Sequence, residues 1–164
     1  MYVLRLLAMM TVLAPVTMQA AASDCLDGFE LTAIVVLEND IRQSVEAYAC
    51  RMAFPEDSST YSLYNQLRAK WNKQRSAQRD KRDMVYQRIY GDSWEDKVIE
   101  WKQSMAVSFN QGFAATDIAC HDLRNELLAH VSDWDNIYQS AAREAASPRY
   151  DPLRCEAASV IQVR

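Results

Sequence analysis

Three side chains in the last third of the sequence have the types and spacing that could bind a metal ion or transfer a proton. Glu126, His130 and Asp133 are four and three residues apart, so a helix would place them on one face. Carboxylate oxygens and imidazole nitrogens are common metal ligands, and a histidine beside a carboxylate can act as a general base. The alternative is a solvated ladder of charges on a helix surface, which is the usual role of such a pattern. We therefore regard these residues as weak candidates for a metal site.

Other signs of catalytic chemistry are absent from the sequence. The second histidine, His121, is nine residues from His130 and would face the opposite side of the same helix. Signatures of serine hydrolases, P-loop nucleotide binding, zinc proteases and c-type haem attachment do not occur. We predict a protein that is not an enzyme and has no cofactor. An exported hydrolase that uses a pair of carboxylates is a third possibility.

A basic segment with the sequence WNKQRSAQRDKRD, residues 71–83, is the most polar part of the chain. It interrupts a long amphipathic pattern, because the apolar stripe that passes through Leu67 continues at Arg75, Gln78 and Arg82. Three interpretations are open. The segment could be a solvated face of a helix that bows away from the core. It could instead form an internal ionic layer, with the arginines paired to Glu46, Glu100 or Glu126.

The third interpretation is a docking surface for an anionic partner. Arginine and aromatic residues are favoured at the energetic centres of protein interfaces. On this basis the predicted binding residues are Arg75, Arg79, Arg82, Trp71 and Tyr86. Tyr61, Tyr64 and Tyr90 are further candidates for exposed contacts, whereas the tryptophans lie on apolar stripes and are expected to pack in the core.

The apolar pattern predicts four helices that would position these side chains. Glycine and proline are scarce, with three and four residues respectively, which favours long helices and short connections. The predicted helices cover about 30–53, 59–90 and 93–113, and a fourth begins near residue 116 and fades after residue 138. Short connections make neighbouring helices antiparallel. We therefore predict an all-α fold, an antiparallel four-helix bundle of up-down-up-down order.

The four cysteines fit this topology as two disulfides. Cys25 precedes the first helix and Cys155 follows the fourth, so both would lie at one end of the bundle. Cys50 and Cys120 would lie together at the opposite end. The predicted pairing is therefore Cys25 with Cys155 and Cys50 with Cys120.

The first residues predict export. Arg5, an apolar run and the small residues Ala20–Ala22 form the pattern of a secretory signal peptide. We predict cleavage after residue 22 and a single helical domain over 23–164 that does not span a membrane. Loss of Arg5 changes the formal net charge from -4 to -5, which argues against nucleic-acid binding. The predicted location is the periplasm or the exterior.

The combined pattern predicts a binding protein. We expect an exported, non-enzymatic helical protein of the inhibitor, immunity or accessory-subunit type, which binds a protein partner through that partner's acidic surface. No oligomeric state is predicted, and no motif matches a known family. The alternative function is a carrier that binds a small ligand or a metal ion inside the bundle.

Overall fold

The structure, a computed structural model, describes residues 24–155 of the chain. Six α-helices make up most of this range. The helices are α1 Gly28–Ala53, α2 Ser59–Lys70, α3 Asn72–Tyr90, α4 Trp94–Gly112, α5 Asp117–Ser132 and α6 Trp134–Ala145, and short 3₁₀ turns cover Gly91–Ser93 and Pro148–Leu153. The predicted all-α class is confirmed, and no β-strand occurs in this range. A four-helix bundle is not confirmed, because the described residues form six helices rather than four.

The N-terminal prediction lies outside this range. The predicted signal peptide, residues 1–22, is not among the described residues, and its cleavage stays a prediction. Between residues 24 and 155, no helix is both long enough and apolar enough to cross a membrane.

Two single residues divide the predicted second and fourth helices. Trp71 separates α2 from α3, and Asp133, with an extended backbone (φ -147°, ψ 124°), separates α5 from α6. The two breaks face each other: Trp71 Nε1 donates to the His130 carbonyl oxygen at 3.1 Å, and its ring centroid lies 6.0 Å from that of Trp134. Carbonyl groups in the last turn of a helix lack a partner within the helix, so the indole satisfies one at the end of α5.

Helix α1 lies at the centre of the fold and packs against each of the other five helices. Residues 31–38 of α1 are all buried, because the sequence LTAIVVLE offers apolar side chains on every side of two helical turns. This burial does not continue to the end of the helix, where Tyr48 and Met52 are 54% and 62% exposed.

The buried apolar side chains form two clusters at different levels of α1. The first cluster contains Leu31, Ile34, Val35 and Val36, with residues of α3, α6 and the C-terminal turn. The second contains Ala47 and Cys50 of α1, with residues of α2 and α5. Residues 38–46 of α1 lie between the two clusters, and this stretch contains most of the buried polar side chains of α1.

Both predicted disulfides are confirmed. Cys25 pairs with Cys155, and Cys50 pairs with Cys120. Two backbone hydrogen bonds reinforce the first link: Leu26 N donates to the Leu153 oxygen at 2.8 Å, and Cys155 N donates to the Leu26 oxygen at 3.0 Å. The second link lies within the second apolar cluster. Each disulfide therefore cross-links the chain beside one of the two apolar clusters.

Adjacent leucines of α5 test the second cluster. Leu127 is 0% exposed and Leu128 is 50% exposed. Leu127→Ala should lower the free energy of unfolding by about 2–5 kcal/mol, because it leaves a cavity in a packed core. Leu128→Ala is the matched control and should change it by less than about 0.5 kcal/mol. Urea unfolding of the oxidised protein measures both, and similar losses in the two variants would contradict this packing.

Candidate functional site

Residues 72–83 of the basic segment lie in one uninterrupted helix, α3, and its seam faces the protein interior. Arg75, Gln78 and Arg82 are only 5%, 6% and 4% exposed. A solvated helix face is therefore the wrong description for these three side chains. Arg79 lies between Arg75 and Arg82 in sequence and is half-buried. Of the three arginines predicted for binding, it is the one that remains partly accessible.

The buried arginines meet carboxylates, as an internal ionic layer requires, but the predicted partners were wrong. Arg75 Nη2 pairs with Asp40 of α1, and Arg82 pairs with Asp83 at 2.6 Å. The Arg82 guanidinium also lies 5.6 Å from the ring centroid of Trp101. Glu46 and Glu126, two of the predicted partners, bind a different arginine, and the third, Glu100, pairs with Lys97 at 2.7 Å.

The five residues predicted for binding divide between two places. Arg75 lines a cleft between helices, which we call the polar cleft, and Trp71 contacts the nearby end of α5. Tyr86 lines a shallow groove between α3 and α4, which we call the α3–α4 groove. Arg82 contacts Trp101 of the same groove, and the charge of Arg79 acts on Lys102, the residue after Trp101. The sequence placed these residues on one surface, and the fold separates them.

The polar cleft has a volume of about 270 Å³ and lies between the two apolar clusters. Its walls come from α1, α5 and α6, with one residue each from α2 and α3. The lining residues are Val36, Asn39, Asp40, Arg42, Gln43, Leu67, Arg75, Glu126, His130, Ile137, Ser140 and Glu144.

One side of the cleft is a network centred on Arg42. Arg42 pairs with Glu46 at 2.9 Å and with Glu126 at 2.5 Å. Gln43 Nε2 donates to Glu126 Oε1 at 2.7 Å and lies 2.9 Å from His130 Nδ1. One charged hydrogen-bond network therefore joins α1 to α5.

The protonation of this network depends on burial and on Arg42. Burial lowers the pKa of His130, the Arg42 charge lowers it further, and Glu126 opposes the shift. Burial raises the pKa of Glu46 above its ordinary value, although Arg42 opposes it. Burial would raise the pKa of Glu126 as well, but the hydrogen bond and charge of Arg42, with the hydrogen bond from Gln43, outweigh it and lower that pKa. The network thus favours a neutral His130 beside an ionised Glu126.

The opposite side of the cleft is centred on Asp40. Asp40 Oδ1 accepts from Tyr64 OH at 3.2 Å and pairs with Arg75. Tyr64 is only 3% exposed, so its predicted role as an exposed contact was wrong. Arg75 Nη1 is a buried atom with no hydrogen-bond partner among the described residues. Glu144 of α6 accepts from Asn39 at 3.1 Å and lies at the more open part of the lining.

The weak metal candidates do not form a common site. Glu126 and His130 lie together, with 3.9 Å between Oε1 and Nδ1. Asp133 is occupied as the N-cap of α6, where its side chain accepts from Asp135 N at 2.9 Å. Within residues 24–155, no group of three or more histidine, cysteine or acidic side chains is arranged to hold a metal ion.

The α3–α4 groove is the second candidate region and is more exposed. It is lined by Tyr86, Tyr90, Lys97, Glu100, Trp101, Ser104 and Met105. The ring centroids of Tyr86 and Tyr90 are 5.3 Å apart, and those of Tyr86 and Trp101 are 6.3 Å apart. Burial raises the pKa of Tyr86 to about 12, so its hydroxyl stays protonated at neutral pH.

A positive charge cluster adjoins the groove. Burial lowers the pKa of Lys102 on α4, and the nearby charges of Arg82 and Arg79 lower it further, against the opposing charge of Asp83. Lys102 is exposed and Arg79 is half-buried, so both can meet a partner. Arg82 is buried against the Trp101 ring, and its positive charge adds to this cluster from the protein interior.

Sequence reasoning missed the α1 residues that build the cleft. Asn39, Asp40, Arg42 and Gln43 follow directly after the buried apolar run of α1. The available signal was the stretch ENDIRQSVE, in which polar side chains continue on the faces that the apolar run had occupied. A central helix cannot solvate all of these groups, so they must find partners on neighbouring helices.

The stability of the protein should depend on pH through His130. The pKa of His130 lies below its ordinary value of 6.5, so the unfolded chain binds this proton at a higher pH than the folded protein. The contribution is fully present above the unfolded pKa and is lost as the pH falls through the folded pKa, with a slope of at most about 1.4 kcal/mol per pH unit. Urea unfolding at about pH 7 and about pH 5 should show this fall.

His130→Gln should reduce that pH dependence, because glutamine does not titrate. His121→Gln is the control, since the His121 side chain is 68% exposed. It should keep the pH dependence of the original protein. An unchanged pH dependence in His130→Gln would contradict the assignment.

Two arginines of the basic segment should differ in their structural role. Arg75→Met removes the partner of Asp40 and leaves a largely buried carboxylate, so the free energy of unfolding should fall by about 3–5 kcal/mol. Arg79→Met should change it by less than about 0.5 kcal/mol. Chemical denaturation distinguishes the two, and an equally small effect at Arg75 would show that its ion pair is dispensable.

The chain was also compared with known proteins. No protein-family model matches the sequence, and neither a curated protein nor a solved structure gave a significant match. Function is therefore inferred from the residues of this chain.

Proposed function

We propose that this chain is an exported, non-enzymatic protein that binds another protein through the α3–α4 groove and the adjoining basic cluster of Arg79 and Lys102. The two disulfides support an oxidising compartment such as the periplasm or the exterior. We also propose that the fold consists of four long elements in up-down-up-down order. Two of these elements are single helices, α1 and α4, and the other two are broken helices, α2 with α3 and α5 with α6.

The incomplete burial of α4 carries this proposal. Its apolar stripe consists of Trp94, Val98, Trp101, Met105 and Phe109, and it is continued by Phe113 just after the helix. Only Val98 is fully buried, at 5% exposure, and the other five remain partly exposed. Trp101 and Phe113 also pack against the two apolar clusters, so the partly exposed Trp94, Met105 and Phe109 are the members of the stripe that support a binding surface.

Charge and residue type support an acidic partner. The groove contains Tyr86, Tyr90 and Trp101, and the charge of Arg79 acts on Lys102, the residue after Trp101. Arginine, tyrosine and tryptophan are the residues that most often contribute binding energy at interfaces. A partner with acidic side chains around an apolar centre would complement both features.

A double charge reversal tests the surface without disturbing the buried arginines. The protein, immobilised, is used to capture partners from its native extract with gentle cross-linking. Arg79→Glu/Lys102→Glu should lose the captured protein while keeping the fold, because both side chains are accessible. The matched control, Arg124→Glu/Arg143→Glu, makes the same change of charge on exposed positions of α5 and α6 and should retain it.

Selective loss in the first variant, together with loss in Tyr90→Ala, would support the proposal. Equal capture by all variants, or no specific capture by the original protein, would contradict it. Recovery of nucleic acid or lipid in place of a protein would also reject the proposed class of partner.

A further inference from the structure

We propose that the polar cleft binds a small zwitterion of the size and charge pattern of a free amino acid. This site is distinct from the α3–α4 groove, so the inference does not depend on the proposed protein binding. A cleft of about 270 Å³ lies just below the range of about 300–1,000 Å³ that is usual for ligand pockets, which restricts the ligand to a small molecule.

A free hydrogen-bond donor defines one end of the ligand. Arg75 is 5% exposed and lines the cleft, and its Nη1 has no acceptor within the described part of the chain. Its Nη2 is already paired with Asp40. A buried guanidinium nitrogen without an acceptor is costly, and a ligand carboxylate supplies a charged acceptor of matching geometry.

The surplus of acidic side chains defines the other end. Three carboxylates line the cleft, Asp40, Glu126 and Glu144, against the two guanidinium groups of Arg42 and Arg75. A simple anion would increase the excess of negative charge, whereas a zwitterion leaves it unchanged and places a positive charge among the acids.

Glu144 is the carboxylate with the most remaining capacity to accept. Glu126 already accepts from Arg42 and Gln43, and Asp40 from Arg75 and Tyr64. Glu144 accepts from Asn39 through one oxygen, and its other oxygen lies 3.7 Å from Arg149, whose side chain is 60% exposed. A carboxylate oxygen has more than one acceptor position, so Glu144 can also receive an ammonium group.

Apolar side chains complete the wall of the cleft. Val36, Leu67 and Ile137 line it beside the charged groups. They offer a surface to the carbon skeleton of a ligand whose charged ends meet Arg75 and Glu144. The structure thus matches carboxylate, ammonium and apolar side chain at three parts of one cavity.

Thermal unfolding of the oxidised protein with each common free amino acid tests this assignment. At least one should raise the unfolding midpoint in a saturable manner, because a ligand that binds the folded state stabilises it. The same amino acid with its carboxylate amidated, or with its amine acetylated, should produce no shift. These blocked forms separate a zwitterion site from a general anion or cation site.

Three variants locate the binding. Glu144→Gln keeps the side-chain shape and should weaken the apparent affinity at least about tenfold, because it removes a charged acceptor. Glu100→Gln makes the same change on α4, where the side chain is 63% exposed, and should bind as the original protein does. Ser140→Leu fills the cleft from α6 and should abolish the shift without changing a charge.

The inference is overturned if no free amino acid raises the midpoint. It is also overturned if a blocked form stabilises the protein as strongly as the free one, or if both Glu144→Gln and Ser140→Leu keep the original affinity.

Discussion

The burial of acidic side chains in α1 is the constraint on which the rest of the structure depends. This helix contacts the other five, so its polar groups cannot all reach water. An unpaired buried carboxylate costs several kcal/mol, and each acid must therefore meet a donor, either from α1 itself or from a surrounding element. Tyr150 donates to Glu38 at 2.6 Å, Arg75 pairs with Asp40, and Arg42 spans Glu46 and Glu126. Arg75, at the seam of α3, is thus the counterpart of an acid in α1, whereas Arg82 pairs with Asp83 of its own helix.

This ionic layer also explains why the fold has two apolar clusters rather than one. Apolar packing above and below the layer is fixed by a disulfide near each cluster, and Ile137 of α6 packs against both clusters. The charged side chains between them are held by specific hydrogen bonds and do not fill space as densely as an apolar core. The polar cleft lies between the two clusters, among these charged side chains. The cavity therefore results from the same need to pair buried acids with arginines.

The sequence predicted the features that depend on local pattern and chain topology. The bounds of α1, α4 and the two disulfides could be derived because apolar periodicity and the positions of four cysteines determine them. The break at Trp71 could not, since this position carries neither the glycine nor the proline that normally interrupts a helix, and its indole makes a tertiary hydrogen bond to the end of α5. The break at Asp133 has a local signal, because the Asp133 side chain caps the first turn of α6. The partner of Arg75 was mispredicted because it depends on how α3 is rotated against α1, whereas Arg82 pairs with the next residue of its own helix.

Helix α3 shows why similar residues in one segment cannot share one role. Arg75 and Arg82 are one turn to either side of Arg79, yet the packing of α3 against α1 and α4 buries the outer two and leaves the middle one partly accessible. The outer arginines neutralise carboxylates, so replacing them changes the stability of the fold. Arg79 has no such structural commitment among the described ion pairs and can contribute to an interface. Composition and spacing treat the three as equivalent, and the rotation of a single helix separates structural charge from charge that is free to bind.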